Sequence, residues 1–170
     1  MTIFIYCPKC KSKLLKVGRY PHCEECDITY YRNSKPTAGI LPIRDGKVLL
    51  AKRSINPFKG HYDVIGGFLR EGEQPENTVK REVREETGSE VEIFELLGMY
   101  TDKYGESGDH VLNIQYVGRI MGNDIKPSDD VASLHWIPIG KTPKKYGFKQ
   151  TKKALIDLKK WYIRNNGKFG

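Results

Sequence analysis

At 170 residues, 38% hydrophobic and 29% charged, the chain has room for one ordinary domain with a small appendage and is too apolar for a disordered segment. No apolar run nears the roughly 18 residues of a membrane helix, and residues 1–6 are too short for a signal peptide, so a cytosolic protein without a membrane partner is expected. The net charge of +8 is uneven: residues 141–170 hold ten Lys or Arg against one acid, Asp157, while the other 140 residues hold 19 basic and 20 acidic groups. Attraction to anionic substrates or nucleic acid would come from that C-terminal segment, which otherwise is a solvated helix face.

The first element is built on cysteine. Cys7-Pro-Lys-Cys10 and Cys23-Glu-Glu-Cys26 stand twelve residues apart. Two such knuckles can give four thiolates to one tetrahedral Zn²⁺. A turn at Gly18 and short strands at 14–17 and 28–31 complete an expected zinc ribbon over residues 1–34, with His22 in a turn. So short a segment buries little apolar surface, so metal binding would supply its folding energy. A reducing compartment disfavours two disulfides, and a redox Cys-x-x-Cys needs one knuckle, not two. Four Cys ligands close the coordination sphere, which makes this metal structural.

Residues 33–36 read as the link to a main domain spanning 35–170. A strand is expected at 37–44, a hairpin turn at Asp45-Gly46 and a partner strand at 47–53. After a loop at 56–60, a short strand at 62–65 ends at Gly66-Gly67. A helix begins at Gln74-Pro75-Glu76, runs to about Thr87 and is capped by Gly88. Further strands are expected at 91–100, 111–121 and 133–139. In the second of these, Val111, Asn113, Gln115, Val117 and Arg119 alternate against Leu112, Ile114, Tyr116, Gly118 and Ile120. A last helix over 149–164 carries Ala154, Leu155, Leu158, Trp161 and Tyr162 as an apolar stripe that must pack on the domain.

Negative charge concentrates in the central helix. At about 100° per residue, Glu82, Glu85 and Glu86 share one sector, beside a stripe of Val79 and Val83 that can anchor the helix to a sheet. On an open surface such crowding costs only a few tenths of a kcal/mol. In a cleft, carboxylates about 4 Å apart repel by about 4 kcal/mol per pair at an effective dielectric near 20, and a cation is needed to keep them all ionised. Hard oxygen ligands in that arrangement suit Mg²⁺ or Mn²⁺.

The order Gly67, five residues, Glu73, seven residues, Arg81-Glu82-Val83, one residue, Glu85-Glu86, one residue, Gly88 resembles the box of the Nudix hydrolases. Ser89 departs from it, where the family has an apolar residue. The resemblance runs from about residue 35 to 165, and an N-terminal four-Cys ribbon is similar to that of the family's NADH pyrophosphatases. It implies an α/β/α sandwich around a mixed sheet, and cleavage of the pyrophosphate bond in a nucleoside diphosphate linked to another moiety. It further implies Glu82 and Glu86 as direct metal ligands, with Glu85 ligating a second ion or taking a proton from water. The Gly66 carbonyl is a further ligand, Arg81 orients a glutamate, and Glu73 supports the loop and pairs with Arg81.

The general base is open among Glu85, Glu106, Asp109, His110, Asp129 and Asp130, with Asp130 preferred outside the box. Arg53, Phe58 and Tyr104 are the candidates for holding substrate, with Tyr62 as another aromatic. The chain lacks the Ser-Gln-Pro-Trp run of the NADH pyrophosphatases and the downstream Pro of many ADP-ribose hydrolases. ADP-ribose, a nucleotide sugar or an NADH-like compound leads. Removal of a cap from RNA, with the ribbon and basic tail holding the nucleic acid, is the alternative. A non-catalytic nucleotide-binding module is a third reading, and a homodimer is left open.

Overall fold

The computed structural model describes residues 4–105, 108–141 and 143–165, in two compact units, Met1–Asn33 and Ser34–Gly170. Among the described residues no helix is long and apolar enough to cross a membrane.

The first unit is a three-stranded antiparallel sheet, β1 (Leu15–Val17), β2 (Tyr20–Cys23) and β3 (Ile28–Thr29), in that order. Gly18 makes the first turn at φ +61°. The chain therefore re-enters the sheet by Tyr20, and His22 lies in the middle strand rather than in a turn. Its Nδ1 is 3.0 Å from Thr29 Oγ1.

The second unit opens with β4 (Lys35–Arg44) and β5 (Lys47–Arg53), joined through Asp45 and Gly46, both at positive φ as a two-residue hairpin requires. Then come β6 (Tyr62–Asp63), β7 (Ile65–Phe68), α1 (Pro75–Thr87), β8 (Glu90–Tyr104), β9 (Asp109–Met121), β10 (Val131–Pro138) and α2 (Lys149–Arg164). The main path is β10-β5-β4-β9-β8, with β6 on β5 and β7 on β4. β4 and β9 run parallel and the other pairs antiparallel, giving a mixed sheet.

Gly66 and Gly67 do not end a strand, as the sequence suggested. They pair with Gly39 and Ala38 inside β7, because a Cβ on Gly66 would stand 2.3 Å from the Ala38 carbonyl oxygen. Residues without side chains let the two backbones close. β8 is longer than expected, since its pairing with β9 continues to Tyr104↔Asp109. In β9 strict alternation holds only to Gln115. Tyr116, Val117 and Gly118 are all buried, because both faces of the sheet are covered there.

Val79 and Val83 of α1 pack with Ala38, Ile40, Leu49 and Ile65 on one face. Ala154, Leu155, Leu158 and Trp161 of α2 pack with Leu41, Ile43, Leu50 and Val117 on the other. The result is the expected α/β/α sandwich. Gly88 caps α1 at φ +68°. At Ser89 the hydroxyl donates to the Met121 carbonyl at 2.6 Å, and the apolar role passes to Val91, which is buried.

Candidate active site

Arg81 organises the acidic face of α1. Its Nε and Nη2 donate to the two carboxylate oxygens of Glu73, each at 2.9 Å. Its Nη1 donates to Glu82 at 2.6 Å and Glu85 at 3.0 Å, and Nη2 also reaches the Phe68 carbonyl at 3.1 Å. One guanidinium thus joins the loop before the helix, the end of β7 and two helical carboxylates. Glu73, which also accepts the Arg70 backbone N–H, is held down to about 2, first by its hydrogen bonds from Arg81. The surrounding carboxylates raise Arg81 further.

The carboxylates separate by burial. Glu86 points into a cavity of about 310 Å³ that Glu82, Gly66, Asp129 and Asp130 also line. Burial, then Asp130, then Glu82 push the Glu86 carboxyl well above its ordinary range, against one hydrogen bond from the Gly66 backbone N–H. Burial also raises Glu82, opposed by Arg81. Asp130 reaches this place because the preceding loop is pinned to the end of α1: Lys126 N–H donates to Thr87 O and Ser128 N–H to Glu86 O. Gly67 leaves room for Glu82, whose Oε1 would be 2.3 Å from a Cβ there.

Glu85 does not line the cavity. Its side chain is 39% exposed and paired with Arg70 at 3.2 Å and with Arg81. Glu73 is likewise outside the lining, behind Arg81. Arg53 and Tyr104 line the cavity. Phe58 does not, but its ring meets Phe148, which does, at 5.0 Å. Tyr62 packs against the α2-side core and His135 instead. Asp109 pairs with Lys35 at 2.8 Å and His110 is exposed; neither lines the cavity, and Glu106 lies outside the described residues.

Several lining residues carried no signal in the sequence. Asp63, Gln115, Gln150, Asn113, Phe68 and Phe148 come from five different elements or loops. Only the β9 alternation hinted that Asn113 and Gln115 share a face. The ring of Tyr104 stands between Phe68, edge-on at 5.3 Å, and Phe148, stacked at 5.5 Å.

An oxygen-only set gathered around the buried Glu86, with Glu82 and Asp130 both raising that carboxyl, suits a hard divalent cation. Glu86 Oε2, buried and without a partner, is the acceptor such an ion would satisfy. The NUDIX domain profile matches residues 33–158. The chain belongs to the NUDIX family.

Its fold matches that of a NUDIX hydrolase from Nitrosomonas europaea with a TM-score of 0.76, 22% identity, and 97% of this chain and 94% of that one covered. The ADP-ribose pyrophosphatase of Methanocaldococcus jannaschii is 37% identical over 101 residues, 59% of this chain and 60% of that protein. The NAD-capped RNA hydrolase NudC of Pseudomonas fluorescens is 29% identical over 155 residues, 90% of this chain and 55% of that protein. The second alignment is long enough to include part of the four-cysteine segment. This NUDIX chain spans a little over half the length of these curated relatives.

In the first unit, Cys7, Cys10, Cys23 and Cys26 bring their sulfurs within 4.8 Å of one another, and none is in a disulfide. Tetrahedral Zn–S bonds of about 2.3 Å demand sulfurs roughly 3.8 Å apart. Cys10 and Cys23 stand at 3.5 Å, so the donor set and its size both fit.

Proposed function

We propose that the chain is a Mg²⁺- or Mn²⁺-dependent pyrophosphohydrolase acting on a nucleoside diphosphate linked to a second group, ADP-ribose or an NADH-like compound first. One observation carries this reading: Glu82 and Glu86 converge with Asp130 in a cavity while Arg81 holds the rest of the box in place. Glu82, Glu86 and the Gly66 carbonyl would hold the ion, and Glu85 is the candidate for a second. When bound, such ions neutralise phosphate oxygens and lower the pKa of water. Arg81 would orient Glu82, and Asp130, at the end of the 122–130 loop, would be the base that takes a proton from water. Arg53, Tyr104 and the Phe58–Phe148 pair flank the remaining space and would hold the group beyond the phosphates. The name of the Methanocaldococcus relative supports the substrate class.

The same reading assigns a structural Zn²⁺ to Cys7, Cys10, Cys23 and Cys26, a ribbon to residues 1–34 and the hydrolase domain to 35–170. The test is a substrate panel with Mg²⁺ or Mn²⁺, comparing wild type with Glu86→Gln. Loss of about a hundredfold or more in kcat, with an unchanged fold, is expected. Equal rates would leave a binding module and remove the assigned role.

A second substrate, the 5′ end of RNA, is favoured by α2. Opposite its buried stripe the helix exposes Lys152, Lys153, Lys159 and Lys160, and the long alignment is to a relative named for capped RNA. RNA affinity should then fall steeply with salt, and Lys→Glu changes at those four positions should flatten the slope. An unchanged slope removes the helix from the interface.

A further inference from the structure

Among the described residues four buried side-chain atoms have no hydrogen-bond partner: Arg53 Nη2, Glu86 Oε2, Gln115 Oε1 and Gln150 Oε1. All four residues line the same cavity. Buried polar atoms are almost always satisfied, so such a concentration marks where a ligand completes the protein. Glu86 belongs to the acidic cluster already described. Arg53 and Gln150 do not, and the box does not include them.

Arg53 and Gln150 are tied together by a chain of hydrogen bonds. Arg53 Nε donates to the Pro57 carbonyl at 2.7 Å, and its Nη1 pairs with Asp63 Oδ2 at 3.3 Å. Asp63 Oδ1 accepts from Thr151 Oγ1 at 2.9 Å and from the Val64 N–H at 2.9 Å. Thr151 has one hydroxyl hydrogen and gives it to Asp63, so toward Gln150 it can only accept. Gln150 must therefore turn its amide nitrogen to Thr151, at 3.2 Å, and leave its oxygen unused. The network sets the amide orientation and presents one cationic donor and one neutral acceptor. Beside them stands the near-parallel pair of Tyr104 and Phe148, and the Arg53 guanidinium lies 5.5 Å from the Phe148 ring centre.

We infer that this wall is a specificity subsite for a flat ring carrying an amino group next to an acceptor. The acceptor faces Arg53 Nη2, the amino group donates to Gln150 Oε1, and the ring lies against Tyr104 and Phe148. Adenine presents that pair on its edge, and the carboxamide of nicotinamide presents the same pair. A bare sugar needs neither the rings nor a fixed donor–acceptor order. The inference rests on the cavity being a nucleotide site, yet its test needs no turnover.

The test is calorimetric titration of the full chain with two pairs of mononucleotides. One pair is adenosine monophosphate and purine riboside monophosphate, which lacks the amino group. The other is nicotinamide mononucleotide and nicotinic acid mononucleotide, whose carboxylate replaces the amide. Wild type should bind the amino-bearing member of one pair about tenfold or more tightly, because the analogue leaves Gln150 unpaired. Which pair is discriminated identifies the ring. In Gln150→Met the preference should vanish. Should Gln150→Met fail to fold, Thr151→Val frees the amide and should erode the same preference, with melting curves as the control. No preference in wild type, no binding of either amino-bearing mononucleotide, or a preference that survives these substitutions would overturn the proposal. Discriminated binding without hydrolysis of any diphosphate would instead sink the catalytic reading and leave the subsite standing.

Discussion

Arg81 shows how one side chain converts a charge cluster into an ordered site. It donates two parallel hydrogen bonds to Glu73, and its Nη1 steadies Glu82 and Glu85. The pH dependence of this hub has a definite sign. The folded-state pKa of Glu73, about 2, lies below the ordinary 4.5, so the folded state favours the charged form. That stabilisation is complete above about 4.5 and is lost as pH falls through about 2. Glu73→Gln should therefore melt below wild type at neutral pH, with the gap closing across that window in a series of thermal melts. A constant gap at all pH values would mean that the pair contributes through shape alone. Helical spacing put Glu82, Glu85 and Glu86 in one sector, and the resemblance to the Nudix box added Glu73 and Arg81. Neither showed that Glu86 is buried, that Glu82 is half-buried, or that Glu85 faces outward. Those differences follow from where β7 and the 122–130 loop close on the helix.

The helices were legible because each carries a complete signal of its own. Pro75 in the first turn, the Val79–Val83 stripe and Gly88 at the end bound α1. Spacing of Ala154, Leu155, Leu158 and Trp161 bounds α2, and both helices appear where expected. Strands were less legible where their ends depend on a neighbour: β7 extends through two glycines because β4 needs close approach, and β8 extends because β9 keeps pairing. α2 matters to the site as well as to the core, since its first turn supplies Gln150 and Thr151 while Leu158 anchors its middle. Leu158 is 1% exposed, so Leu158→Ala should cost about 2–5 kcal/mol in denaturant unfolding. A cost under about 1 kcal/mol would mean that the sheet face beneath α2 closes the gap.

At the scale of the molecule, a small cysteine-rich unit accompanies a sandwich with two cores. Among the described residues of the first unit the only buried apolar side chains are Cys7 and Cys23, and the proposed zinc would supply the order that a core cannot. Protein purified without chelator should contain about one zinc per chain, and Cys23→Ser should lose it along with protease resistance within residues 1–33. Full metal content in the variant would remove that role.

By itself the sequence determined the helices, the hairpin, the pairing of two cysteine knuckles and the spacing of the box, because each is written in residues close together in the chain. The remaining wall of the cavity was decided only by tertiary structure. Asp63, Gln115, Phe148 and Gln150 are separated by up to 87 positions and meet because two layers of helix close on one mixed sheet. No local pattern encodes a meeting that depends on the parallel pairing of β4 with β9 and on α2 returning to the edge of β6.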